Sequence, residues 1–355
     1  MKKFFFSLVA AMMATSTVFA QGSLLATLSH NGNISAYYGA DALNTAMEAA
    51  EAGDVITLSS GQFNSAIIDK PVTIRGAGMS VSTEGSNPHE PTQIENNLYI
   101  NIADEETGNL IMEGLYMKGD VTYNGNIRNA QFQKCRFLSF KSYSDNSILS
   151  NATFVHCRIS KGFTLGENSS AYFVNSLVGL AKNDFWSSNA EFNNCYVTFN
   201  FAKYFYNGSF MNSIIMTNAT NVSGYYLDSS LDKSCSAYYC IGLVNSASPQ
   251  VGNVFSNMPD NNKTNTNFYR MDLSTIFTTN YPWDTEIKDS YEFILNDTAV
   301  QQYLGNDGTQ VGVYGGNLPY DENVAIPQIT KCNVASKSTA DGKLSVDIEV
   351  KAAEY

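Results

Sequence analysis

The sequence predicts an all-β solenoid, a parallel β-helix wound from one chain, and three observations predict it. First, five segments repeat a small residue, a phenylalanine and then a Cys or Ser: NAQFQKC, NATFVHC, SAYFVNS, NAEFNNC and NGSFMNS. Aligned on Phe132, Phe154, Phe173, Phe192 and Phe210, they lie 22, 19, 19 and 18 residues apart. A period of that length belongs to a solenoid whose coils pack only on their neighbours. Second, the repeats carry strand chemistry. Phe, Tyr, Val and Ile fall in short alternating runs between Asn, Gly and Ser, as in CYVTFNF, and helical periodicity is absent. Third, an amphipathic helix ahead of the first strands is placed to cover the open first coil, whose bare edge would invite aggregation.

Taken in order, residues 1–20 (MKKFFFSLVAAMMATSTVFA) form a signal peptide. Lys2 and Lys3 make a basic start, Phe4 to Ala14 an apolar core, and Val18-Phe19-Ala20 a small-x-small cleavage site. The apolar run is too short to span a bilayer. The expectation is an exported mature chain beginning near Gln21, in the periplasm, at the cell surface or outside, without membrane insertion. Without Lys2 and Lys3 the balance is 19 basic against 33 acidic side chains, a net of −14. That balance excludes a nucleic-acid partner, which requires basic phosphate contacts, and docking on an anionic membrane.

Residues 21–52 hold an N-terminal segment and the capping helix, near 41–51, with Leu43, Met47 and Ala50 on one face and Gly53 closing it. The β-helix follows over 53–320. Equivalent residues of successive coils stack about 4.8 Å apart. The five phenylalanines therefore form an interior stack, and Cys135, Cys157, Ser176, Cys195 and Ser213 a ladder of small buried side chains. Lys134, His156, Asn175, Asn194 and Asn212 occupy a turn. A weaker sixth copy, NLIMEGLYM, precedes the five and aligns on Ile111 and Gly114. Two polar stretches, 78–97 and 245–267, read as loops leaving the stack. The segment 321–355 carries an alternating strand (Leu344, Val346, Ile348, Val350) that forms an edge strand, a cap or an appendage.

The stretch AGDVITLSSGQFNSAIIDKPVTIRGAG, residues 52–78, resembles the opening coils of pectate-lyase-like right-handed β-helix proteins. GNDGTQVGVYGGNLPY, residues 305–320, resembles the last coil of similar secreted proteins common in Bacteroidetes. The resemblance implies a right-handed helix over nearly the whole mature chain. It implies little about activity, because one scaffold carries many functions.

Pectate lyases of that group hold calcium with clustered acids and abstract a proton with an arginine, and polygalacturonases use paired aspartates. Neither pattern is found here. Asp104–Glu106 reads as a solvated turn, Asp228 and Asp232 lack acidic partners one coil away, and Arg128, Arg136 and Arg158 read as surface residues. His30, His89 and His156 are scattered, without a second ligand pair at zinc-like spacing. No catalytic residue, metal or cofactor is assigned. The enriched feature is aromatic. Trp186, Tyr196, Tyr204 and Tyr206 fall among interior Phe positions and, exposed on a face, would offer platforms for sugar rings. DTA, Asp297 to Ala299, resembles a short bacterial O-glycosylation acceptor with Thr298 as the attachment point. The leading expectation is a monomeric, non-catalytic envelope or extracellular protein that binds polysaccharide or another surface glycan. A diverged polysaccharide lyase or glycoside hydrolase and a structural or adhesive module are the alternatives. Cys135, Cys157 and Cys195 are expected to be buried free thiols, because parallel Cβ vectors on stacked coils do not converge as a disulfide requires.

Overall fold

In a computed structural model, the described residues are 24–81, 90–103, 108–180, 188–199, 206–218, 221–222, 225–226, 231–245, 254–270, 275–279, 286–324, 328–334, 342–343 and 346–351. The signal peptide, Trp186, Tyr204 and the loop cores 82–89 and 246–253 lie outside them.

Each coil places one short strand in each of two parallel sheets. The first sheet runs from Val55–Leu58 through the five Phe repeats to Lys263–Thr264, and the second from Gly61–Asn64 to Asn267–Arg270, both in chain order. This is a parallel β-solenoid. The phenylalanines lie in register, and consecutive rings from Phe132 to Phe210 stack with centroids 4.7, 4.8, 4.9 and 4.9 Å apart. Phe137, Phe140, Phe163 and Phe199 come from the second sheet on the same coils, and Phe63 lies on an earlier coil, all fully buried. Phe140 and Phe163 meet Phe154 edge-on, an arrangement the ring quadrupole favours.

The small-residue ladder is buried and satisfied. Cys157 Sγ donates to the Phe132 and Val155 carbonyls, and Ser176 Oγ donates to the equivalent Phe154 and Val174 carbonyls. The serine hydroxyl also accepts the Cys157 amide N–H, at 3.0 Å. Cys135, Cys157, Cys195, Cys235 and Cys240 are free and buried. Burial raises all five thiol pKa values, Cys135, Cys195, Cys235 and Cys240 to about 12. Beside the ladder, Lys134, His156, Asn175, Asn194 and Asn212 all take the left-handed backbone that turns the chain from one sheet to the other (φ 43° to 52°).

Several expectations need correction. The sixth copy is one residue out of register: Met112, not Ile111, lies beside Phe132, and Gly114 takes the turn position with φ 66°. A one-residue slip exchanges inward and outward faces. A further copy, SAYYC, places Ala237 beside Phe210 and Cys240 on the ladder. The polar stretches are not wholly loops. Thr92–Glu95 is a strand of the second sheet, Lys263–Thr264 a strand of the first, and Val254, Phe255 and Met258 enter the core.

The N-terminal cap is larger than one helix. Strands β1 (Leu25–His30) and β2 (Asn33–Tyr38) form an antiparallel hairpin, and β1 pairs antiparallel with Val55–Leu58. Helix α1 (Ala42–Ala49) buries Ala42, Leu43, Ala46 and Met47 in the same core. The segment 328–351 contains an antiparallel pair, Gln328–Val334 with Val346–Lys351.

Residues 305–320 are not a last coil. The described residues 275–279 and 286–324 leave the stack and lie along its outside. Of these, 275–279 and 286–302 lie on the outer face of the second sheet and end in helix α2 (Asp297–Gln302), and residues 303–324 form a strap across the turn column. Outward-facing Leu177, Tyr196, Ile214 and Ile241 meet Ile276, Phe277, Phe293, Tyr303 and Val311 in a second hydrophobic core outside the solenoid.

Candidate functional site

Two positions on each second-sheet strand point outward, and their chemistry changes along the axis. In the early coils the first of them is Gln62, Gln93, Tyr116 and Arg136, and the later coils continue with Arg158, Leu177, Tyr196, Ile214 and Ile241 in register. Apolar outward residues cannot face water in a row, so the returning chain covers them. Tyr196 is consequently fully buried. Its ring stacks on Phe293 with centroids 3.6 Å apart, and its hydroxyl donates to Met216 Sδ. It offers no platform to a sugar. Tyr206 is half-buried beside the Gly208–Met211 strand, and Thr298 is exposed in the first turn of α2, which Asn296 caps by accepting the Ala299 N–H. The expected aromatic row does not assemble from Tyr196, and Trp186 and Tyr204 fall outside the described residues.

At the border between polar and apolar coils, arginine closes the cover. Arg158 is 4 % exposed and donates to the carbonyls of Lys288, Asp289 and Tyr291 and, at 2.8 Å, to Glu322 Oε1. Glu322 also accepts from Tyr320 Oη, at 2.7 Å, and from Ser80 Oγ. Burial alone would raise the Glu322 pKa, but the Arg158 charge and the Ser80 and Tyr320 hydrogen bonds outweigh it and hold the carboxyl below its ordinary range. One rung earlier, Arg136 pairs with Asp289 and lies over the Tyr116 ring. Both arginines are structural latches rather than the solvated surface residues expected; of Arg128, Arg136 and Arg158, only Arg128 is exposed. Arg136, Tyr116, Ser160 and residues 286–290 line a cleft of about 520 Å³ whose charged groups are largely paired, Lys161 with Glu286 and Arg136 with Asp289.

A second cleft, of about 450 Å³, opens where the strap crosses the turn column. The left-handed turns project side chains outward from successive coils, and the strap bonds to them one after another. Lys134 Nζ pairs with Asp321 at 2.8 Å, and the His156 Nε2–H donates to the Leu318 carbonyl at 3.0 Å. Asn175 Nδ2 donates to the Val313 and Gly315 carbonyls, at 2.8 and 2.7 Å. Asn212 and Asn306 exchange two bonds. Asn194 sits under Gly315 and Gly316. A Cβ on Gly315 would lie 2.6 Å from Asn194 Nδ2, so the strap approaches this closely only with glycine.

Within the cleft the turn asparagines Asn175, Asn194 and Asn212 form the floor, and Asn193, Asn306, Asp307 and Asn317 the walls. Asn194 Nδ2 is buried without a hydrogen-bond partner. Such a group costs about 1–3 kcal/mol until an oxygen meets it. Asp307 Oδ1 accepts from Thr309 N and Oγ1, which fixes the carboxylate and leaves its other oxygen to the solvent side. Leu318, 61 % exposed, adds an apolar surface at the rim. Amides and one carboxylate supply donors and acceptors in fixed planes, the chemistry that binds hydroxyl groups. One carboxylate without a second beside it is not a pair for general acid–base work. The asparagines were read from the sequence only as turn formers; their recurrence every 18 or 19 residues was the signal that they share one edge. Compared with known proteins, the chain matches no family model and none of the curated proteins.

Proposed function

We propose that the protein is an exported member of the pectate-lyase-like solenoids that binds polysaccharide at the amide-lined cleft between the turn column and the strap. The observation that carries this reading is the convergence of Asn175, Asn194, Asn212, Asn193, Asn317 and Asp307 on one cleft beside the exposed Leu318. Export rests on the sequence of residues 1–20, and placement among these solenoids on residues 52–78. The reading moves the sugar site away from the aromatic residues: Tyr196 packs and does not bind.

Isothermal titration of the mature chain, from Gln21, with soluble oligosaccharides tests it. Exposed Asn317→Ala and Asn193→Ala should each weaken binding about tenfold, the loss of one or two hydrogen bonds at roughly 1 kcal/mol each. They should leave the melting temperature within a degree or two. Glycan binding unaffected by both substitutions would move the site elsewhere, and no binding to any glycan would end the reading.

A further inference from the structure

We infer that the amide cleft selects uncharged glycans and rejects uronates and sulfated sugars; this deepens the proposed function and rests on it. Among the described residues, the lining of the cleft contains no Lys or Arg, and its one formal charge is the Asp307 carboxylate. The nearest cation along the turn column, Lys134, lies two rungs beyond Asn175, roughly 10 Å away at the rung spacing, and is already paired with Asp321. Asp307 is pinned by its two bonds from Thr309, so it cannot swing away from an approaching anion. A carboxylate or sulfate ester entering the cleft would surrender part of its hydration to neutral amides and face a fixed negative charge. Neither loss is compensated.

A neutral sugar meets no such penalty. A carboxylate oxygen accepts hydroxyl protons in a charge-assisted bond, and the Asn193 and Asn317 amides both donate and accept. Leu318 can lie against the C–H face of a pyranose ring. Asn175 Nδ2 already donates to Val313 and Gly315, and Asn212 Nδ2 to Asn194 and Asn306, so among the three floor amides Asn194 Nδ2 is the donor left for a sugar hydroxyl. The charge of the whole chain, −12, acts in the same direction at longer range.

The test sets immobilised neutral oligosaccharides (β-glucan, mannan and galactan fragments) against polygalacturonate, alginate and heparin fragments. Wild-type protein and the Asp307→Asn and Asn317→Ala variants are measured at low and high salt. The neutral set should be bound and the anionic set at least tenfold more weakly at low salt. Asp307→Asn should narrow that gap, as should added salt, which screens a rim charge. Equal or tighter binding of the anionic set by wild type, or a gap that Asp307→Asn leaves unchanged, overturns the charge selection while leaving a glycan site in place. Silence of both sets, or neutral binding that Asn317→Ala leaves intact, overturns the site itself and the selection with it.

Discussion

The described residues form two hydrophobic cores, built by different rules. Inside the solenoid, the Phe132-to-Phe210 stack is made by residues that follow one another at near-regular spacing, and each ring touches the rings of adjacent coils. Outside it, Tyr196, Ile214 and Ile241 pack against Phe277, Phe293 and Tyr303, residues tens of positions away in sequence with no repeat of their own. The inner core is local and self-templating, since each coil creates the surface for the next. The outer core forms only when a long chain segment returns, so its closure entropy is met by a few strong anchors: the Tyr196–Phe293 stack and the Arg158–Glu322 latch. The two cores should therefore separate under stress, the cover releasing before the solenoid melts.

Truncating the inner stack should do the greatest damage. Phe173→Ala removes a ring that stacks on both neighbours and is 1 % exposed, and it should cost about 3–5 kcal/mol. Chemical denaturation should show the midpoint of the main transition falling. If only a minor early transition moved, the inner core would not be the stronger one.

Next comes the latch. Arg158→Ala leaves Glu322 partly buried without its cation and should cost about 3 kcal/mol. The loss should appear in the release of residues 286–324 to protease while the coils stay folded. Arg158→Ala that melts both cores together would join them into one cooperative unit.

Acid should loosen the same cover. Burial lowers the His156 pKa below 6.5, with Lys134 adding to the effect. Glu322 also titrates below its ordinary 4.5, because Arg158 and its hydrogen bonds outweigh burial. His156 on the coil and Glu322 on the strap each bind a proton more readily when the strap is released than when it is docked, so the stability of docking rises with pH across each window. The His156 share should be lost as pH falls below about 6.5, and the Glu322 share as it falls below about 4.5 and through the lower docked value. Protease sensitivity of 286–324 followed from pH 7.5 to 3.5 should rise in two stages, and His156→Gln should remove the first. A flat profile would detach docking from these two groups.

The smallest effect is expected on the ladder. Cys157→Ser places on one coil the group that Ser176 and Ser213 already present on others, and the hydroxyl keeps both carbonyl acceptors. A change below about 1 kcal/mol in denaturation is expected, as for other near-isosteric swaps. A larger loss would mean that the ladder distinguishes sulfur from oxygen.

The inner core was legible because its signal is periodic. Five Phe-to-Cys/Ser spacings locate the coils, their inward face and their turns without reference to anything distant. Where the signal thinned, legibility failed in step. NLIMEGLYM was read one residue out because Met112 is not aromatic, and the Ala237 copy was missed because Ala replaces Phe after a long insertion. The outer core left a fainter trace. LVGL and YVTF are buried on both faces, whereas QFQ alternates, and a strand apolar on both sides must be covered twice. That trace says that a cover exists but not which segment supplies it. For this reason Tyr196 read as a platform, Arg158 as solvated, and residues 305–320 as a coil. The amide cleft was legible only in part: the asparagine column could be read, and the strap that turns it into a cleft could not.

The central claim, that the returning chain covers the second sheet as a core of its own, meets its most direct test in hydroxyl-radical footprinting of the intact protein. Tyr143, 68 % exposed, is an internal reference for a free tyrosine, and Tyr196 is fully buried. At pH 7.5 Tyr196 should be oxidised far more slowly than Tyr143, and in Phe293→Ala it should react faster while Phe154 and Phe173 stay protected. Oxidation of Tyr196 in the wild-type protein as fast as Tyr143 would contradict the claim.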